Sequence, residues 1–199
     1  AVTAALRRLD FDVATVENGS HRAMMRAIAE FGDRIGAGGV GLFYYAGHAV
    51  QVRGGNYLIP VDARIRAEAE VDYLAVNAGL ALAQFDKAPA RLGVTILDSC
   101  RDNPLPASFR SMNRGLAVVG TAPPGSLVVY ATGPGQVAAD GSGANSVFTE
   151  ALLQHIERPG LKAQEMFNAV AVTVGERSSG QQVPWISATG IREDFFFKR

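Results

Sequence analysis

The sequence carries no excess of charge of either sign. Its 199 residues include 19 Lys and Arg against 19 Asp and Glu, so the formal net charge is zero. No run of Lys or Arg concentrates the positive half. This argues against a nucleic-acid partner held by bulk charge. Cysteine is nearly absent as well. Cys100 stands alone, which rules out an internal disulfide framework and a multi-cysteine zinc site. The 3 histidines, His21, His48 and His155, are scattered, so no catalytic zinc and no resident cofactor are expected. No stretch approaches the ~18 consecutive apolar residues that suggest a membrane-spanning helix. No basic segment followed by an apolar run opens the chain, so no signal peptide is expected within it. The chain opens at Ala1 inside what reads as a helix. Further sequence upstream is therefore expected, and the compartment is left open.

What is present describes a folded core. Hydrophobic residues make up 48% of the chain and charged residues 19%, too apolar and too weakly charged for a disordered chain. The length suits one domain over 1–199. Val2, Leu6 and Leu9 recur at helical spacing, which predicts a helix over 1–9. Residues 11–16 alternate apolar and polar and read as a strand. Ser20 offers an N-cap for a helix with Met24, Ile28, Phe31 and Ile35 on one face. Short apolar runs at 40–45, 92–97 and 127–130 read as strands covered on both faces. A hairpin is expected around Arg53-Gly54-Gly55. Helices are predicted over 68–85, 146–156 and 163–176, with late strands at 183–186 and 195–197. Residues 101–126 hold Pro104, Pro106, Pro123 and Pro124 and show little periodicity, so they read as a long linker. Strands alternating with helices predict an α/β fold with a mainly parallel sheet. Chemistry in such folds gathers at the carboxyl ends of the strands.

Two strand ends carry chemistry. The run at 40–45 leads into Ala46-Gly47-His48-Ala49, and the run at 92–97 leads into Asp98-Ser99-Cys100-Arg101. If these strands are neighbours, His48 and Cys100 face each other across the carboxyl edge. A cysteine attacks a carbonyl as its thiolate, which a nearby imidazole can generate. The same imidazole can then protonate the leaving amine. Taken singly, Cys100 is a small core residue and His48 a loop histidine. Their shared position just past two buried strands favours the chemical reading.

The strings YYAGHAV (44–50), NYLIPVDA (56–63) and ILDSCRDNP (96–104) resemble the caspase-like cysteine peptidases, and among them the bacterial metacaspase and orthocaspase branch. The His-then-Cys order with a gap of ~50 residues fits the same pattern. The strings VVYATGPGQVAAD (128–140), SVFTEAL (146–152) and GQQVPWIS (180–187) fit more loosely. The resemblance covers nearly the whole chain. It implies a three-layer αβα sandwich whose first strand has no counterpart ahead of Ala1. It also implies a larger-subunit-like part over 1–100, a linker over 101–126 and a smaller-subunit-like part over 127–199.

The activity so implied is that of a cysteine endopeptidase. Cys100 would be the nucleophile and His48 the general acid/base, with the backbone N–H groups of Ala49 and Cys100 forming the oxyanion hole. Ala49 stands where the family usually carries Gly. Asp98 matches the acidic residue that metacaspases place in the P1 pocket. The expected partners are thus peptide or protein substrates with Arg or Lys at P1. The plain alternative is an Asp that caps a turn. Ala131 and Thr132 resemble the wall along which substrate backbone lies, with an ordinary strand exit as the alternative. The linker offers Arg110 and Arg114 as self-cleavage points. Asp62, Asp72 and Asp140 are candidates for the calcium site of some metacaspases, although their spacing does not show one. Oligomeric state stays open.

Other motifs carry less. Residues 36–41 match G-x-G-x-x-G, but they follow a helix and open a strand, the reverse of a dinucleotide fingerprint. Pro106 stands where a phosphatase loop begun at Cys100 would need Arg. No G-x-S-x-G elbow occurs. The rival reading is a caspase-fold scaffold with weak or no catalysis.

Overall fold

Six strands form one sheet in the computed structural model, which describes residues 1–87, 90–100, 116–117, 122–133 and 143–199, with Cys100 described by its backbone alone. The chain begins with α1 (Val2–Arg8) and α2 (His21–Arg34), then enters β1 (Val40–Val52) and β2 (Gly55–Leu58). A 3-10 turn (Glu68–Glu70) and α3 (Val71–Leu74) lead to β3 (Val76–Asn77), α4 (Gly79–Lys87) and β4 (Leu92–Cys100). Then come β5 (Ser126–Tyr130), α5 (Val147–His155), α6 (Ala163–Arg177) and β6 (Trp185–Thr189). The strand order is β3-β2-β1-β4-β5-β6. The centre, β1-β4-β5, is parallel. The flanking pairs β1-β2, β2-β3 and β5-β6 are antiparallel. The α/β reading holds, with the parallel character confined to the middle of a mixed sheet.

Strand alternation builds two cores, one on each face. On the first face Val94, Ile96, Leu127 and Val129 pack with Leu6 of α1, Phe148 and Leu152 of α5, and Met166 and Phe167 of α6. On the second, Leu97, Val128 and Tyr130 pack with Ile28 of α2 and Leu82 and Phe85 of α4. Residues 92–99 of β4 are therefore all buried, as expected of a strand covered on both sides. Burial of this kind contributes roughly 1.5–3 kcal/mol per large apolar side chain.

Several elements differ from their sequence expectation. Residues 11–16 form no strand. Phe11 and Val13 lean on the first core, and the segment has no ladder partner. The helix expected over 68–85 is cut in two by β3. Asn77 Oδ1 accepts the Gly79 N–H at 2.8 Å and so caps the restart as α4. The strand expected over 40–45 runs on to Val52. Its hairpin turns at Arg53 (φ 48°) and Gly54 (φ 80°), the pair of positive φ values that a two-residue type I′ turn needs. The late strand at 195–197 reduces to one bridge, Lys162 to Phe196. Residues 36–41 connect α2 to β1, as expected of a decoy.

Candidate active site

β1 changes partners at one residue. Up to His48 it runs parallel to β4, and the last register pair is His48 with Cys100. From Ala49 onward it runs antiparallel to β2. The chain leaves β1 toward β2 and β3 on one side, then returns through α4 to β4 on the other. The β1-β4 junction is therefore the topological switch point, where open α/β sheets hold their ligands. Ala46, Gly47 and His48 are exposed there, and the chain submerges again at Ala49. The Cys100 side chain lies outside the described residues.

Beside this junction lies Asp98, only 4% exposed. Its Oδ2 accepts from Ser146 Oγ at 2.5 Å and from Thr149 Oγ1 at 2.5 Å. An ionised carboxylate can only accept, so both hydroxyl protons point at Asp98. Thr149 has then spent its proton, so the Tyr44 hydroxyl donates to Thr149 Oγ1 at 2.6 Å. Tyr44 also lies 3.4 Å from Asp98 Oδ2. Burial first, and the Asp98 charge second, push the Tyr44 hydroxyl well above its ordinary range. It stays a protonated donor. Ser146 does a second job as N-cap of α5, accepting the Thr149 N–H at 2.9 Å. The positive end of α5 thus faces the carboxylate and favours its charge.

Tyr44, Gly47, His48, Asp98, Asn145 and Ser146 line one cleft of about 310 Å3. It joins the exposed middle of β1 to the start of α5, with Asp98 in its wall. Such an arrangement can hold a cationic side chain next to an imidazole.

The remaining candidates divide. Ala131 follows β5, donates its N–H to Leu97 at 3.0 Å and accepts at its carbonyl from Gln182 Nε2 at 2.7 Å. Thr132 is buried beside it. Arg110, Arg114 and Asp140 lie outside the described residues. Asp62 accepts the His21 N–H, and Asp72 accepts from Tyr57 and pairs with Arg53. No cluster of metal-ligating side chains occurs among the described residues. The sequence reading missed Tyr44, Thr149 and Gln182, and it placed position 146 only at the start of a helix. The one local signal was the Ser146-to-Thr149 spacing. The partner that gives both hydroxyls their meaning lies about 50 residues away along the chain.

Comparison with known proteins agrees with this architecture. A family model described as the caspase domain matches residues 1–196. The chain belongs to the caspase-domain family. The family is one of cysteine peptidases. A 100-residue stretch is 36% identical to the human mucosa-associated lymphoid tissue lymphoma translocation protein 1, covering 50% of this chain and 12% of that protein. The mouse homologue matches over the same length at the same identity. The crystal structure of protein GSU0716 from Geobacter sulfurreducens superposes with a TM-score of 0.69 at 15% identity, over 96% of this chain and 82% of that one. That likeness concerns the fold. Among the described residues, no helix is long and apolar enough to cross a membrane.

Proposed function

We propose that this caspase-family domain is a cysteine endopeptidase that uses Cys100 and His48 and cleaves after Arg or Lys. One observation carries the reading: the β1-β4 ladder ends by pairing His48 with Cys100, beside a cleft with Asp98 in its wall. The Cys100 thiol gives its proton to His48, and the thiolate attacks the scissile carbonyl carbon. The carbonyl becomes an oxyanion held by the N–H groups of Ala49 and Cys100. His48 returns the proton to the leaving amine as the C–N bond breaks. Water, deprotonated by His48, then hydrolyses the thioester and frees Cys100. Asp98, oriented by Ser146 and Thr149, supplies the negative charge for a basic P1 side chain.

Fluorogenic peptides with P1 Arg, Lys and Asp test the reading. Cleavage is expected after Arg and Lys only, with loss of at least about 1000-fold in Cys100→Ala. No cleavage of any peptide, together with no labelling of Cys100 by a thiol-reactive peptide, would favour the scaffold reading instead.

A further inference from the structure

We propose that Tyr45 is a positioning residue for this reaction, acting through the peptide group that joins His48 to Ala49. The inference rests on the Cys100–His48 reading. Tyr45 packs its ring against the second core, next to α2 and α4. Its hydroxyl donates to the His48 carbonyl at 2.6 Å. The Ile59 N–H donates to the same oxygen at 2.9 Å. Both lone pairs of that carbonyl are then occupied. Burial pushes the Tyr45 hydroxyl up to about 12, so it remains a donor throughout the neutral range.

The geometry of one planar group does the rest. The His48 carbonyl points at β2, so the Ala49 N–H on the opposite side of the trans peptide points toward β4. The carbonyl that Tyr45 grips and the N–H assigned to the oxyanion hole therefore move as one rigid unit. Hydrogen bonds to the carbonyl also polarise that N–H and strengthen it as a donor. Gly47 makes the reach possible. A Cβ there would come within 2.7 Å of the Tyr45 hydroxyl, and the backbone holds φ at 156°, which disfavours any side chain. Ala46 to His48 are exposed, and the Tyr45 hydroxyl adds a second hold on the peptide plane, from the core side, to that of the Ile59 N–H.

Tyr45→Phe removes the hydroxyl and keeps the ring. Two probes separate positioning from folding. A peptide aldehyde forms a hemithioacetal whose oxygen needs the oxyanion hole, whereas iodoacetamide alkylates Cys100 without one. In Tyr45→Phe, kcat and aldehyde affinity should each fall about tenfold, with KM and the alkylation rate within about twofold of wild type. Gly47→Ala, which crowds the hydroxyl away, should reproduce the split. Unchanged kcat and aldehyde affinity would overturn the proposal, and so would equal losses in turnover and alkylation. A wild-type chain with neither turnover nor Cys100 labelling overturns the dyad reading and this inference together. The inference alone fails only when wild-type turnover is intact, which tells the two apart.

Discussion

Asp98 shows how much one residue can depend on distant partners. The hydroxyls of Ser146, the N-cap of α5, of Thr149 in α5 and of Tyr44 in β1 converge on its side of the cleft. His155 is a second case, in the interior near α6. Its Nδ1 accepts from Arg158 at 3.1 Å, so its Nε2–H donates to Thr173 Oγ1 at 2.7 Å. A second proton would meet the Arg158 guanidinium. Burial, then the charges of Arg158 and Arg177, hold its pKa below the ordinary 6.5. The unfolded chain therefore binds a proton that the folded one refuses, and stability falls as pH drops below about 6.5. Between pH 7 and 5 the wild type should lose more melting temperature than His155→Gln. Parallel losses in the two proteins would count against this account. His48 and Cys100 stood out as candidates in the sequence because each follows an apolar run, and Asp98 because it matches the metacaspase pattern. Tyr44 and Thr149 were not, since a tyrosine in a strand and a threonine in a helix look like ordinary packing.

At the scale of elements, β1 carries the main surprise. The apolar run at 40–45 marks only its first half, which is half-buried against the two cores. The remainder, through Val52, is a strand because the type I′ turn at Arg53-Gly54 folds β2 back onto it. Without that neighbour the stretch after His48 would have no ladder partner, since β4 pairs with β1 only as far as His48. The hairpin also anchors a piece of the long connection between β4 and β5. Asn56 is 5% exposed; its Nδ2 donates to the Ala117 carbonyl at 2.8 Å and its Oδ1 accepts the Ala117 N–H at 2.7 Å. One amide side chain thus imitates a paired strand. Asn56→Ala should destabilise the fold by about 2 kcal/mol. Asn56→Asp, which sets a carboxylate oxygen against the Ala117 carbonyl at a buried site, should cost at least as much near neutral pH. Urea unfolding measures both, and an Asn56→Ala midpoint equal to wild type would refute the anchoring role.

The whole molecule is held by layers that the linear order does not respect. Residues after the linker supply β5 beside β4, and α5 and α6 share the first core with α1. If the linker is cut after Arg110 or Arg114, the two pieces should therefore stay together. Stored active enzyme should yield fragments by denaturing electrophoresis that co-elute in native gel filtration, while Cys100→Ala stays whole. Fragments that separate without denaturant would contradict the shared-core account. An intact wild-type chain under every activating condition would reject self-cleavage itself.

The sequence by itself determined the α/β class, most helices and the central strands, because apolar periodicity and caps such as Ser20 and Ser146 are local signals. It also offered His48 and Cys100 as candidates through their places after apolar runs, and Asp98 through the resemblance to metacaspases. Tertiary structure decided what those residues meet. The parallel register sets His48 opposite Cys100, the fold of α5 onto the sheet surrounds Asp98 with hydroxyls, and the hairpin turns the His48 carbonyl toward Tyr45 and Ile59. Hydrogen bonds depend on angles and tenths of an ångström between residues far apart in the chain, and no pattern along the chain encodes those distances.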